Sequence, residues 1–253
     1  MTIHFQKLGQ GAPLVIIHGL FGTSDNLKAV AKGLSDEFTV YLIDAPGHGN
    51  STSLRPLSLE AMARAVYEFT LSQGLERFSI LGHSLGGKIA MELSLLHPNS
   101  VERLIVADIA PVHYPRRHDS IISALKSVPL LTLSGRGEAD QILAGHINEA
   151  GVRGFLLKSL VRTVNNEGWQ WKFDLERLAN DYEFLVSANR QGNYSGRVLF
   201  IVGGNSNYIS PEHKQDIIGR FPNATSKLIQ GAGHWLHAEK PSAFIKITRD
   251  FLS

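Results

Sequence analysis

The chain holds a serine between two glycines, in Gly82-His83-Ser84-Leu85-Gly86, and these residue types at this spacing suit nucleophilic chemistry. The residues before the motif are apolar and strand-like, and those after it are helix-like. G-x-S-x-G is typical of a sharp strand-to-helix turn on which a serine hydroxyl is exposed as a nucleophile. Glycines suit that turn because the backbone passes close to its neighbours, where a side chain would clash. Ser84 is therefore the candidate nucleophile.

The same segment has a second interpretation, because Gly82 to Lys88 also spells G-x-x-x-x-G-K, the core of a phosphate-binding loop. Such a loop continues with Ser or Thr, whose hydroxyl binds the magnesium ion of a nucleotide. The residue in that place is Ile89, which has no side-chain oxygen. Nucleotide binding is therefore disfavoured, and a strand, turn and helix without a chemical role stay as the alternative to a nucleophile.

A serine hydroxyl is a weak nucleophile until a base takes its proton, so an imidazole must lie within hydrogen-bonding distance. Among eleven histidines, His234 is best placed, since it follows a strand-like run and precedes the final predicted helix, Ser242 to Leu252. Gly231 and Gly233 allow the chain to turn tightly before it. A surface-loop histidine is the alternative, although loops carry function more often than packing.

Attack on an acyl carbon builds negative charge on an oxygen, and backbone N–H groups aimed at it stabilise that charge by about 2.7 to 4 kcal/mol each. One such group is predicted at Leu85, directly after the candidate nucleophile. The other is predicted at Leu20, in the loop HGLFG after the first apolar run, with Phe21 as the neighbouring alternative. His18, which opens that loop, is expected to be structural rather than a base.

The elements that position these residues alternate along the first part of the chain. Apolar, β-branched runs predict buried strands at Leu14 to Ile17, Phe38 to Ile43, Phe78 to Leu81, Leu104 to Ala107, Val198 to Val202 and, more weakly, Ser226 to Ile229. Helical spacing is found between the early strands, at Asn26 to Leu34, Leu59 to Ser72 and Leu85 to His97. The alternation predicts an α/β fold, with a mostly parallel twisted sheet and helices on both faces.

Between residues 111 and 195 the alternation stops, and apolar residues recur at helical spacing without an intervening strand. The sequence therefore predicts a core of residues 1–110 and 196–253, interrupted by a helical cap of residues 111–195. An insertion that leaves and returns at the carboxyl ends of strands should cover the ligand site there. Trp169, inside this cap, is predicted either to pack in its core or to line the pocket.

Composition disfavours several classes of function. With 253 residues, of which 43% are hydrophobic, the chain can bury a full core. It has no cysteine, which excludes disulfides and thiolate metal sites and suits a reducing compartment. Its formal net charge is only +2, with basic and acidic residues interspersed, so a nucleic-acid partner is disfavoured. Because neither an export signal nor a long apolar run is present, we expect a cytoplasmic enzyme without a membrane partner, cofactor or metal.

Four motifs in this order, HGLFG, DAPGHGNS from Asp44 to Ser51, GHSLGG and GAGH, resemble the α/β-hydrolase family over nearly the whole chain. In most of that family the acid of the catalytic triad lies in a loop that corresponds here to Gly203 to Ile209, which contains no carboxylate. The resemblance instead implies Asp108 as the acid. Its segment, ADIAP, is similar to the one that carries the acid in the YbfF-type bacterial esterases, a minority of the family.

Asp44, Glu212 and Asp216 are the other candidates for the acid. The resemblance implies a structural role for the loop that carries Asp44, and the sequence favours a helix-terminal or solvated role for Glu212 and Asp216. Ser206 stands in the loop where most of the family has its acid. It is therefore expected to support the histidine or the acid through a hydrogen bond. A serine that only stabilises the turn is the alternative.

With these residues the expected reaction is hydrolysis of a carboxylic ester or acyl thioester through an acyl-enzyme. The substrate pocket is predicted to include Phe21, His83, Arg116, Arg117, Trp169 and Trp235. The two arginines belong to a cationic cluster at the start of the cap, which suggests acyl-coenzyme A as a substrate, with a solvated cap edge as the alternative. Hydrolysis of a carbon–carbon bond, a lyase reaction and a silent binding protein of the same fold are open alternatives.

Overall fold

One seven-stranded sheet forms the centre of the computed structural model, which describes residues 1–253. In chain order the strands are β1 (Phe5–Leu8), β2 (Ala12–Ile17), β3 (Phe38–Ile43), β4 (Phe78–His83), β5 (Val101–Ala107), β6 (Leu160–Arg162), β7 (Trp169–Trp171), β8 (Arg197–Gly203) and β9 (Ala224–Ile229). The sheet has the order β1-β3-β2-β4-β5-β8-β9, and only β1 is antiparallel to its neighbour. The predicted fold class is confirmed. Strand β1 was missed because it is short and lacks the continuous buried run of the central strands.

Helices cover both faces of this sheet. In chain order they are α1 (Lys28–Leu34), α2 (Leu59–Ser72), α3 (Leu85–Leu96), α4 (Asp119–Ser127), α5 (Arg136–Ala144), α6 (Ala150–Leu157), α7 (Leu175–Asn180), α8 (Tyr182–Val186), α9 (Lys214–Arg220), α10 (Leu236–Glu239) and α11 (Pro241–Leu252). Apolar side chains of α1 and α11 pack in one layer, and those of α2 and α3 in another. Each fully buried Leu, Ile or Val contributes about 1.5–3 kcal/mol. None of the helices is long and apolar enough to cross a membrane.

The region between β5 and β8 differs from the predicted cap in one respect. It contains the short helices α4 to α8, but the expectation that no strand interrupts them is wrong, because β6 and β7 form an antiparallel hairpin. Leu160 pairs with Trp171, and Arg162 with Trp169. Aromatic and β-branched residues favour such a pleated surface, so the apolar spacing here belongs to a strand rather than a helix. We call residues 111–195 the cap region.

The carboxyl ends of β4, β5, β8 and β9 lie side by side, because these strands are parallel neighbours in the sheet. Strand β2 lies on the other side of β4. After β2 the chain continues to β3, towards one edge of the sheet, whereas after β4 it continues to β5, towards the other edge. Such a switch point opens a crevice at the carboxyl edge of an α/β sheet. The fold therefore brings loops that are far apart in sequence to one crevice.

Candidate active site

Ser84 forms the turn between β4 and α3 in an unusual backbone conformation, with φ of 54° and ψ of −119°. Residues other than glycine rarely adopt such a conformation, and its strain is commonly found at functional sites. The flanking glycines make the turn possible. A Cβ on Gly82 would overlap the carbonyl of Gly86, and a Cβ on Gly86 would overlap the carbonyl of Ile17. Local sequence thus dictates how the serine is presented.

A continuous path of hydrogen bonds joins Ser84, His234 and Asp108. Nε2 of His234 lies 3.0 Å from Oγ of Ser84, and Nδ1 lies 2.7 Å from Oδ2 of Asp108. Because a carboxylate can only accept, Nδ1 carries a proton and donates it to Asp108. In the neutral ring this leaves Nε2 as the acceptor for the serine hydroxyl. The tautomer is the one that a general base for Ser84 requires.

The carboxylate of Asp108 is fully buried and surrounded by donors. Its Oδ1 accepts from the amide of Gly203 at 3.0 Å, and its Oδ2 accepts from both His234 and the hydroxyl of Ser206. Without such partners a buried charge would cost several kcal/mol. Asp108 also has a positive φ of 55°, and its amide donates to the carbonyl of Ile201 at 2.9 Å. These bonds hold the carboxylate between β5 and β8.

The loop after β8 supports this pair from the side. The hydroxyl of Ser206 donates to Asp108, and its oxygen accepts from the amide of Tyr208 at 3.3 Å. The ring of Tyr208 stacks on the imidazole of His234, with centroids 3.8 Å apart and planes inclined by 14°. Stacking adds to the hydrogen bonds that already fix the imidazole. Tyr208 was not predicted, because no motif marks a tyrosine in a polar loop.

Two backbone amides near the nucleophile, those of Leu20 and Leu85, donate to no acceptor within the protein. Leu85 begins α3, and the first amides of a helix have no partner inside it. The amide of Phe21, the alternative to Leu20, already donates to Nε2 of His48 at 3.2 Å. Phe21 has a positive φ of 61°, like Ser84. The arrangement suits an oxyanion hole formed by Leu20 and Leu85.

Two further histidines lie beside that loop and are engaged by backbone. Nε2 of His18 accepts from the amide of Ala45 at 3.0 Å, and its Nδ1 donates to the carbonyl of Gly19 at 2.8 Å. Nδ1 of His48 lies 3.1 Å from the carbonyl of Pro46. Burial lowers the pKa of His18 and lowers that of His48 to about 3, so both rings are neutral. These bonds agree with the structural role expected for His18.

The other candidate acids do not contact the candidate base. Asp44 accepts from two backbone amides, at 2.7 and 3.0 Å. Asp216 forms an ion pair with Arg220 at 2.9 Å on α9, and Glu212 is exposed. Asp108 is the carboxylate that lies at hydrogen-bonding distance from His234.

Two cavities meet at Ser84. The larger, of about 300 Å³, is lined by the candidate base and by residues of both the core and the cap region. The smaller, of about 40 Å³, lies between α3 and the two ends of the cap region. Ser84 and Arg117 line both. A nucleophile at such a junction can attack a substrate whose two arms extend in different directions.

The larger cavity is lined by four of the six predicted pocket residues, Phe21, His83, Arg117 and Trp235. Arg116 and Trp169 do not line it, so the prediction for Arg116 is corrected and Trp169 follows its other alternative, packing within the cap. Arg116 lies on the outside of the cap region, where it pairs with Asp119 at 2.7 Å and with Glu183 at 3.6 Å. Trp169 packs in the cap hairpin under the guanidinium of Arg162, at 4.4 Å. Spacing in the sequence did not reveal which side of the cap these residues face.

Neutral imidazoles surround the candidate base. Nε2 of His83 donates to the backbone carbonyl of His234 at 2.8 Å and so ties that loop to β4. Burial lowers the pKa of His83 well below its usual range, and lowers those of His118 and His237 to about 4. These neutral rings do not repel a positive charge on His234. His118 and His237 also line the larger cavity. Neither was predicted as a pocket residue, although His118 ends the cationic cluster at the start of the cap.

Similar proteins are known over almost the full length of the chain. Residues 12–128 match the family model of the α/β-hydrolase fold. The chain is 36% identical over 249 residues to esterase YbfF of Escherichia coli (strain K12), which covers 98% of this chain and 96% of that protein. It is also 36% identical over 249 residues to the sn-1-specific diacylglycerol lipase ABHD11 of Mus musculus, with 95% and 80% covered.

A solved structure described as a marine microorganism esterase has the same architecture. It matches with a TM-score of 0.95 and 39% sequence identity, and the match covers 98% of both chains. The resemblance predicted from the four motifs is therefore confirmed. The chain belongs to the α/β-hydrolase family, and it is an enzyme that hydrolyses ester bonds.

Proposed function

We propose that the enzyme cleaves its substrate through a covalent acyl-enzyme, with Ser84 as nucleophile, His234 as general base and Asp108 as the acid that orients it. The supporting observation is the unbroken path from Ser84 Oγ through His234 to Asp108, at 3.0 and 2.7 Å. In the first step His234 takes the hydroxyl proton while Ser84 attacks the acyl carbon. The amides of Leu20 and Leu85 stabilise the oxyanion by about 2.7–4 kcal/mol each.

His234 then gives its proton to the leaving alcohol or thiol, and the bond to the acyl carbon breaks. A water molecule, deprotonated by the same imidazole, hydrolyses the acyl-enzyme and restores Ser84. Asp108 stabilises the imidazolium in both half-reactions. Ser206 keeps the Asp108 carboxylate in place through its hydrogen bond. Burial of this group strengthens the interaction, because water does not screen it.

Covalent labelling with an alkyl fluorophosphonate tests these roles. We expect one phosphonyl group per wild-type chain, attached to Ser84, and none in Ser84→Ala. Hydrolysis of p-nitrophenyl acetate should fall by at least about ten-thousand-fold in that variant. Ser242→Ala, at an exposed position at the start of α11, is the control and should label and turn over like the wild type. Labelling at another residue, or turnover retained in Ser84→Ala, would contradict the mechanism.

For the substrate we propose acyl thioesters of an anionic carrier such as coenzyme A, alongside simple esters. Support comes from Arg117, which lines both cavities, lies 5.1 Å from the ring of Tyr208 and has no ion pair within the protein. Arg116, its neighbour in the cationic cluster, is already paired with carboxylates. Arg117 is therefore the arginine of this cluster that can meet an anionic substrate at the site.

Arg117→Ala should lower kcat/KM for an acyl-coenzyme A about tenfold, because a charge-assisted hydrogen bond is lost. For a p-nitrophenyl ester with the same acyl group the change should stay within about threefold. Arg116→Ala is the matched control and should leave the ratio of the two substrates unchanged. Equal losses of kcat/KM for both substrates in Arg117→Ala would contradict acyl-coenzyme A as a substrate, but they would not contradict ester hydrolysis.

The cytoplasmic location expected from composition stays a prediction.

A further inference from the structure

The smaller cavity beside Ser84 is closed by two stretches of the cap region. Leu85, Lys88 and Ile109 line it from the core. Its other wall includes Tyr114 and Pro115 of the first cap segment, residues 111–115, and Leu185 and Val186 of the return segment, residues 185–189. The remaining lining residues are Leu20, Ser84, Arg117, His118, Tyr182 and Tyr208. The two segments are bonded to each other, since the amide of Tyr114 donates to the carbonyl of Val186 at 2.9 Å. The size of the cavity therefore depends on how this pair of segments docks on α3.

Lys88 docks both segments at once. The residue is only 2% exposed. Its Nζ donates to the carbonyl of Val112 in the first cap segment at 2.7 Å, and to the carbonyl of Ser187 in the return segment at 2.6 Å. The amide of Lys88 donates to the carbonyl of Ser84 at 3.1 Å, so one helical turn separates the two residues. The turn of helix that carries the nucleophile thus also fixes the roof of the cavity.

Packing alone does not account for an amine in this place. Burial lowers the pKa of Lys88 to about 7, and an apolar side chain of similar length would avoid that cost. What the amine adds is two N–H donors for two cap carbonyls, which it supplies in either protonation state. Glu92, one turn further along α3, accepts from Asn189 of the return segment at 2.9 Å. Buried polar groups of α3 therefore hold the return segment at two successive turns.

The chemistry assigns the two cavities to the two arms of an ester. Nε2 of His234 must reach the leaving oxygen to protonate it, so the leaving group lies on the side of His234. His234 and Trp235 line the larger cavity and not the smaller one. The acyl chain therefore extends into the smaller cavity, past Leu85.

We infer that Lys88 restricts the enzyme to short acyl groups, from acetyl to butyryl, by holding both cap segments over a cavity of about 40 Å³. The inference rests on the proposed function, because it requires an acyl chain attached to Ser84. Lys88 touches no reacting atom and is a positioning residue. When its two bonds are lost the roof lifts, so longer chains gain room and an acetyl group loses contact with the wall.

Acyl-chain selectivity of Lys88→Met tests this inference. With p-nitrophenyl esters the wild type should prefer acetyl over octanoyl in kcat/KM. In Lys88→Met this preference should shrink at least about tenfold, mainly through KM, with kcat within about threefold. Lys88→Gln retains an amide donor, so its preference for acetyl over octanoyl should lie between those of the wild type and Lys88→Met. Lys246→Met is the control, since Lys246 is an exposed lysine paired with Asp250 on α11, and it should keep the wild-type preference.

Hydrogen exchange gives a second readout that does not depend on turnover. The amide of Tyr114 should exchange faster in Lys88→Met, while the amides of β4 keep their protection. If folded Lys88→Met keeps the wild-type preference, or if the wild type prefers octanoyl, the inference is overturned and the ester hydrolase stands. A wild type that is not labelled at Ser84 by fluorophosphonate would instead overturn the proposed function. If Lys88→Met does not fold, the ratio of kcat/KM for the acetyl and octanoyl esters is measured in Lys88→Gln, and an unchanged ratio there overturns the inference.

Discussion

Two histidine–aspartate pairs lie at the carboxyl edge of the sheet, and in only one of them does the imidazole bond to both the carboxylate and a hydroxyl. His234 and Asp108 lead to Ser84 through bonds of 2.7 and 3.0 Å. His18 and Asp44 have the same residue types, are both buried and follow directly from β2 and β3. Both nitrogens of His18 bond to backbone groups. Residue type and position at the sheet edge therefore do not by themselves make a catalytic pair.

The carboxylates show the same difference. Asp44 accepts from the amide of Ser24 at 2.7 Å and from the amide of Asn50 at 3.0 Å. Burial alone would raise the pKa of Asp44, but these amides and nearby His18 more than offset it and lower the pKa. Asp108 accepts from one backbone amide, that of Gly203, and its other oxygen accepts from two side chains, those of Ser206 and His234. Bonds to backbone fix a loop, whereas bonds to a titratable side chain orient it for proton transfer.

Among the variants, Asp108→Asn should have the largest effect, because it breaks the proposed catalytic pair of His234 and Asp108. An amide in this position favours the wrong tautomer of His234, so kcat should fall about a thousand- to ten-thousand-fold. Steady-state hydrolysis of p-nitrophenyl acetate measures this. Asp44→Asn makes the same substitution in the other pair and should keep kcat within about threefold. A loss in Asp108→Asn no greater than in Asp44→Asn would refute the assignment of the acid.

Acid should lower the stability of the folded protein through His48, whose ring lies beside that of His18. Burial lowers the pKa of His48 to about 3, whereas the unfolded chain takes up this proton near its ordinary value. Stability is therefore lost as pH falls below that ordinary value, by about 3 kcal/mol between neutral pH and pH 4. Urea unfolding of the wild type and of His48→Gln should show this extra loss only in the wild type. Parallel curves would mean that His48 is already charged in the folded protein.

Asp44→Asn should lower stability while leaving catalysis nearly unchanged. An asparagine offers one acceptor oxygen where the carboxylate offers two, so one of the two buried amides loses its partner. The free energy of unfolding should fall by about 1–3 kcal/mol. Urea unfolding at neutral pH measures it, with Asp25→Asn, an exposed aspartate of the same loop region, as the control. An unchanged unfolding midpoint would show that these amides find water or another acceptor.

Of the four changes predicted in this section, Ser206→Ala should have the smallest effect. It removes one donor to Asp108, which keeps those from Gly203 and His234, so kcat should fall about tenfold. Ser210→Ala, in the same loop, is the control and should change kcat by less than about twofold. If Ser206→Ala matches its control, the serine only shapes the turn after β8.

Much of the fold and part of the site could be predicted, because the patterns that encode them are local. The central strands are continuous apolar runs, α2 has a clear helical period, and Ser84 stands in a five-residue motif. The hairpin of β6 and β7 could not be predicted, since its few apolar residues fit either period. Arg116 and Arg117 are neighbours in the chain, yet only Arg117 reaches the cavities. Which side a cap residue faces depends on how the cap packs.

The sequence by itself determined the turn that presents Ser84, the parallel sheet and the absence of a carboxylate in the loop after β8. These depend on neighbouring residues, whose sterics and periodicity act over short distances. The tertiary structure decided that His234 lies beside the serine and Asp108 beside His234, and that Lys88 bonds to two carbonyls of the cap region. Such partners are remote in sequence, so the order of strands and the packing of the cap set their distances.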